Sequence, residues 1–492
     1  VTTKLGFLIE ATLLFNGEFH PDAELGETMA KKNETTILVL ALLITAAILG
    51  GGLWLFGNQF GLEFSPSQTA HKGGRRKSHS DRISLGNKIL IGADTTPQKK
   101  AGVEAFAAKD YVTAAEEFEK SLRDRRNDPE TRIYLNNAKA ASNNPLKLAV
   151  SVPIGGNLDI AKEILRGVAQ AQNEANQAGG INGRPIEVAI ANDDNSPLIA
   201  EELAQAFVRD SSILAVVGHN SSNASLAAAP EYERGKLAMI SPTSDAKQLS
   251  AAGDYIFRTV PSIRFQADTL SRYAVKAGKT KIAVCADSQA EYSQSLKAEF
   301  TSAMLADGGR VTPTNCDLAA SGFNADTAVS QAIADGAEGL LLVPGVNRLS
   351  LALEVALANQ RRLPLFASSA MYTFRTLKDG QDAVRGTVLT APWHPAAFEG
   401  NPFPQQAEQL WGGRVNWRTA LAYDAMQAII AGLQQGNASR EGLQQALSRQ
   451  GFATEGATGN IRFLPSGDRN GAALLIEIQP SNTPTGLDFS PL

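Results

Sequence analysis

Residues 213–245 read ILAVVGHNSSNASLAAAPEYERGKLAMISPTSD. A β-rich run opens the stretch. A cluster of small polar residues, His219 to Ser225, follows it and leads into an Ala-rich helical segment. A second β-rich run then ends in Pro242, Thr243, Ser244 and Asp245. Strand, polar turn, helix and strand make a βαβ unit, whose two strands run parallel. Small hydroxyl residues at a helix start, here Ser221 and Ser222, expose backbone N–H groups and add Oγ donors. Such a turn suits a carboxylate or another anion. Plain helix capping by Ser222 or Asn223 accounts for the same residues, and spacing alone leaves both readings open. Asp245 is the one charge at these two strand ends. It either caps the next helix or meets a ligand cation or amide.

The alternation continues in both directions. Further β-rich runs stand at 146–154, 186–191, 281–287, 339–344, 363–368 and 387–392. Helical stretches such as 161–179 and 196–210 lie between them. The pattern predicts an α/β fold with parallel sheets. Residues 144–482 are too many for one comfortable α/β core, so two lobes are expected. Ligands of such folds sit at the C-terminal ends of the strands. Run 281–287 ends in Asp287 and leads to Tyr292, which offers an aromatic wall and a hydroxyl from a second lobe. Run 363–368 leads into Ser369 and Ala370. Lobe crossings are expected near 260–261, 391–392 and 450–457, and 483–492 reads as a C-terminal tail.

The matching text KEILRGVAQAQNEANQAGGINGRPIEVAIANDDNSP and VVGHNSSNASLAAAPEYERGKLAMISPTSDAKQLSAAGDYIFRTVPS resembles type I periplasmic binding proteins of the leucine/isoleucine/valine-binding family. The resemblance covers roughly 146–480. It implies two α/β lobes with three hinge crossings and a small-molecule ligand trapped in the cleft. It places Ser222 on the serine that binds a ligand carboxylate. Thr243 falls where a backbone carbonyl receives the ligand ammonium, and Tyr292 near the second-lobe tyrosine over the ligand. Residues 158–160, including Leu158 and Asp159, fall in the first loop, against the ligand side chain. Two positions depart from the pattern. Asp245 stands where amino-acid binders usually have threonine. Ser369 or Ala370 stands where they carry an acid for the ammonium. Asp245 either replaces that acid from the opposite lobe or repels a ligand carboxylate at unfavourable Coulomb cost. The resemblance therefore implies the fold and the mode of binding, without fixing the ligand. It also implies an ABC permease as partner.

The chain has 492 residues, with 43% hydrophobic and 20% charged side chains. That composition excludes a disordered chain, a collagen and a polytopic membrane protein. There are 46 basic and 50 acidic residues, a net charge of −4, so nothing points to a nucleic-acid partner. Two cysteines exclude a disulfide-dense scaffold and a four-thiolate zinc site. Cys285 and Cys316 end consecutive predicted strands, where either a disulfide or two buried thiols fits. No GxSxG, GxxxxGK[ST] or HExxH occurs, so neither an enzyme nor a cofactor is expected. The run Asn192–Asn195 either caps a loop or ligates a cation.

Residues 37–56, ILVLALLITAAILGGGLWLF, carry no charge. Twenty apolar residues as a helix span about 30 Å, enough to cross a bilayer. They read as an uncleaved signal anchor, since the apolar core of a signal peptide is usually only about 7–15 residues long. Lys31 and Lys32 ahead of them favour a cytoplasmic N-terminus, with the bulk of the chain in the periplasm. Residues 1–36 form an N-terminal tail, of which 1–28 precede Met29 as a short cytoplasmic tail or an over-extended start. Residues 57–83 read as a flexible linker. Within 84–143, Gly102, Tyr111, Ala114, Phe118 and Ser121 fall where a tetratricopeptide repeat places its packing residues. One such repeat cannot bury its own face, so 98–140 is expected to pack on the next domain or on a protein partner. The competing functional readings are a ligand-responsive sensor or scaffold that uses 98–140 as its output, and a degenerate fold kept for protein contacts.

Overall fold

The computed structural model describes residues 79–492. The expected signal anchor at 37–56 lies outside the described residues. Among the described residues no helix is long and apolar enough to cross a membrane.

Lobe one is built on a six-stranded sheet in the order β1-β3-β2-β4-β5-β6. Its strands are β1 Ile83–Ser84, β2 Leu146–Val152, β3 Ile186–Asn192, β4 Ile213–Val217, β5 Ala238–Ser241 and β6 Ile256–Arg258. β2 to β6 are parallel, and β1 is the antiparallel edge. Most residues of β2, LKLAVSV, are buried, as a parallel strand covered on both faces requires. Helices Leu158–Gln177, Pro197–Arg209 and Ser222–Arg234 connect these strands. Asn157, Ser196 and Ser221 cap them, each side chain accepting a bond from the N–H three residues on.

The 57–83 linker ends differently from expectation. Ile83 and Ser84 pair with Ala191 and Ile190, extending the sheet. After them come helices Pro97–Ala107, Tyr111–Asp124 and Pro129–Ala140. Gly102 permits the first two to close up, since a Cβ there would lie 2.6 Å from the Phe118 ring. The third packs against Leu158–Gln177 of lobe one. Its buried Asn137 donates to the carbonyls of Leu85 (2.7 Å) and Val188 (2.8 Å), and accepts from the Val188 N–H (2.8 Å). The open face of the helical segment is thus taken by lobe one.

Lobe two holds a seven-stranded sheet in the order β15-β14-β11-β10-β9-β7-β8. These strands are β7 Lys281–Ala286, β8 Arg310–Val311, β9 Gly339–Val343, β10 Leu365–Ala367, β11 Val388–Ala391, β14 Leu474–Pro480 and β15 Leu487–Pro491. Residues 483–492 are therefore not a tail. Leu487 and Phe489 bury their side chains, and β15 pairs antiparallel with β14. Cys285 and Cys316 are joined by a disulfide, because Asp317 pairs beside the end of β7.

The chain crosses between lobes at 259–262, after β6, and again beyond β11. The second crossing returns it to lobe one, where helix Trp417–Gln435 lies along Leu158–Gln177. Gly167 allows that approach, since a Cβ there would stand 2.2 Å from the Thr419 carbonyl. The third crossing falls at 462–473 rather than 450–457. Residues 454–461 instead form a small hairpin, β12 Thr454–Gly456 with β13 Gly459–Ile461, against helix Trp417–Gln435.

Candidate ligand-binding cleft

The lobe-one wall begins with an unusual turn. Gly218 has φ +136°, and a Cβ there would lie 2.6 Å from the Ser151 carbonyl, so only glycine fits. His219 after it is fully buried. Its Nδ1 is 2.7 Å from Asp193 Oδ2 and its Nε2 is 3.0 Å from the Tyr232 hydroxyl. Its carbonyl accepts from Ser241 Oγ (2.7 Å) and lies 3.1 Å from Ser244 Oγ. Thr243 Oγ1 donates to the next carbonyl, Asn220, at 2.8 Å. Ser244 and Thr243 thus fix the turn that aims the start of helix Ser222–Arg234 into the cleft.

At that helix start the cap is neither Ser222 nor Asn223, as the sequence suggests, but Ser221, whose Oγ accepts from the Ala224 N–H at 3.2 Å. Ser222 Oγ accepts from the Ala246 N–H at 3.2 Å, which leaves its own proton for the cleft. Ser221, Ser222 and Asn223 at this helix start line the cleft.

A cavity of about 410 Å³ lies between the lobes. Lobe one contributes Ser221, Ser222, Thr243 and Asp245. Lobe two contributes Tyr292, Ser369 and Ala370. Of the ten residues that the sequence pointed to, these seven line it. Ser244 is fully buried behind the wall. Leu158 and Asp159 are not part of the wall. Both belong to the first turn of a capped helix, where Leu158 packs on the core and Asp159 faces solvent. The run Asn192–Asn195 serves the loop: Asp193 holds His219 and Asp194 pairs with Arg82 at 2.7 Å. Among the described residues no cluster of metal-ligating side chains forms.

Asp245 is buried, and its Oδ2 accepts from Gln266 Nε2 at 2.6 Å. Burial pushes its carboxyl up to about 7, against the opposing pulls of Gln266 and the Arg258 guanidinium. The Tyr292 hydroxyl is buried and makes no hydrogen bond, and burial pushes it well up. Asp287 also lines the cleft, with its Oδ1 accepting from the Gln289 N–H at 2.9 Å.

Sequence reasoning missed Trp417 and Arg418, which line the same cavity from the start of helix Trp417–Gln435. That helix follows another helix, Phe403–Trp411, and no strand of the sheets, so strand ends do not point to it. The signal available was Asn416, a capping residue directly before an aromatic and a cation.

The lobes touch beside the cavity. Asn223 Nδ2 donates to the Gln289 carbonyl and Asn223 Oδ1 accepts from the Glu291 N–H, both at 3.1 Å. Gln248 Nε2 donates to Glu291 Oε2 at 2.7 Å.

Comparison with known proteins agrees with this geometry. The periplasmic binding protein family matches residues 145–479. The leucine-, isoleucine-, valine-, threonine- and alanine-binding protein of Pseudomonas aeruginosa is 25% identical over 331 residues, 66% of this chain and 87% of its own length. A leucine-binding protein of Thermotoga maritima superposes with a TM-score of 0.62 at 20% identity, over 70% of this chain and 97% of its own. A Rhodopseudomonas palustris solute-binding protein in complex with benzoate superposes with a TM-score of 0.61 at 18% identity, over 71% and 96%. These two structures share the fold. With a match over two-thirds of its length, the chain belongs to the periplasmic binding protein family.

Proposed function

We propose that this chain is the solute-binding component of an ABC importer for amino acids or related small polar molecules. In this reading residues 37–56 anchor it in the bacterial cytoplasmic membrane, with the binding lobes in the periplasm. The observation that carries the reading is the cavity between the lobes, whose wall holds four polar groups without partners, Asn195 Nδ2, Trp417 Nε1 and Arg418 Nε from lobe one and the Tyr292 hydroxyl from lobe two. Closing the lobes on a solute shapes a surface that a permease recognises. The relatives support the class of ligand: the Pseudomonas protein is named for five amino acids, and the Rhodopseudomonas protein holds an aromatic acid. The twenty uncharged residues at 37–56 support the anchor.

A thermal-shift screen of the full chain in detergent tests this. The panel holds amino acids, their amides, urea, short peptides and small organic acids. A ligand at about 100 times its Kd adds roughly 2.7 kcal/mol of stability, a clear shift in melting temperature. A folded chain that responds to no member of the panel would count against the reading.

A further inference from the structure

We propose that the cleft takes a carboxylic acid as its anion, with the carboxylate received by Arg418 and Trp417 Nε1, and needs no α-ammonium group. This rests on the solute-binding reading and names the class of solute.

Arg418 is only 6% exposed. Its guanidinium lies 4.2 Å over the Trp417 ring and makes a single long side-chain bond, 3.5 Å, to Asn416 Oδ1. Its Nε is buried with no acceptor. Among the described residues no carboxylate forms an ion pair with it. Glu163, the carboxylate whose charge acts on it, is committed to Thr419, the Asn416 N–H and Arg166. A buried guanidinium without a partner is costly, and a carboxylate that meets its planar fork removes most of the cost. Trp417 Nε1 and Asn195 Nδ2 are likewise buried donors without acceptors in the same wall, and the Tyr292 hydroxyl is a fourth open group. Three of these four can only donate. The solute must therefore bring acceptors.

The cleft is poorly equipped for an ammonium. Each of the two carboxylates in its wall already accepts a bond, Asp245 from Gln266 and Asp287 from the Gln289 N–H. Burial also raises the Asp245 carboxyl to about 7, so that it is only partly ionised near neutral pH. Arg348 adds a second cation to the wall.

Matched compounds on the full chain test the inference: 4-methylpentanoate, leucine and 4-methylpentanamide, and 3-phenylpropanoate, phenylalanine and 3-phenylpropanamide. The acids are expected to raise the melting temperature. The amides should bind roughly 100-fold more weakly, and the amino acids no tighter than the acids. Arg418→Gln should weaken acid binding by about 100-fold. Without ligand that variant should melt no lower than the parent, because it loses a buried charge that has no partner. An arginine with a merely structural role would instead melt lower when replaced. Arg418→Lys keeps the charge and loses the fork, so about tenfold weaker binding is expected. Amides that bind as well as acids, amino acids that bind where the acids do not, or undiminished binding in Arg418→Gln would overturn this inference while leaving solute binding intact. Silence of a folded chain to these six compounds, with a response in the wider panel only to compounds that carry no carboxylate, would also overturn it. Silence to the wider panel as well would overturn both.

Discussion

Asp245 shows how one side chain answers to two demands. It stands at the cleft, yet Gln266 and burial hold it, and its carboxyl is pushed up to about 7. In the unfolded chain it titrates near 3.9. The folded state therefore holds a proton between about pH 4 and 7 that the unfolded state has released. Stability from this group is fully present below pH 4 and is lost as pH rises through 7. Asp424, pushed up to about 6 by burial, adds a loss of the same sign. Asp245→Asn keeps an acceptor for Gln266 and cannot ionise. Urea titrations at pH 4.5 and 7.5 should show the parent losing on the order of 2 kcal/mol more than the variant between the two. Equal losses would mean that Asp245 is solvated. The serines and Asp245 were legible because each follows a predicted strand, where the fold gathers its loops. That Ser221 rather than Ser222 or Asn223 is the cap was not legible, since that turns on which side chain meets the Ala224 N–H.

At the scale of elements, alternating pattern revealed the two sheets but not their edges. β1 is two residues long and β15 is LDFSP, too short for period-two patterning to stand out. Both are held by the strand beside them rather than by their own propensity. The Cys285–Cys316 bond pins another such weak place, the segment after β8 that rejoins the end of β7. It closes a loop across a sequence separation of 31. Chain entropy then predicts that replacing both cysteines by serine costs about 3–4 kcal/mol, read from urea unfolding. The segment after β7 that carries Asp287 and Tyr292 into the cleft is also held by Ser293, whose Oγ accepts from the Asp287 N–H at 2.8 Å and donates to the Val343 carbonyl at 2.6 Å, so solute affinity should stay within about twofold. A large loss of affinity in a folded double variant would place Asp287 and Tyr292, on the same β7 loop, under the control of the disulfide.

Residues 79–492 form a pair of lobes in contact beside a cavity, and the contact is polar. Asn223 bonds to Gln289 and Glu291, Gln248 to Glu291 and Ser295, and Lys247 to Ser295 and Glu299. Bonds of this kind contribute about 1 kcal/mol each. They are strong enough to bias closure and weak enough to allow opening. Asn223→Ala should weaken solute binding roughly tenfold, mainly through faster release, with little change in the melting temperature of the ligand-free chain. An unchanged release rate would mean that these bonds do not hold the closed state. Calorimetric titration of the full chain with the strongest compound of the panel, for the parent and for Ser222→Ala, tests the cleft most directly. The account predicts one site per chain and binding about tenfold weaker in a variant that remains folded. Binding of undiminished strength in Ser222→Ala, or more than one site per chain, would contradict a single solute held between the lobes.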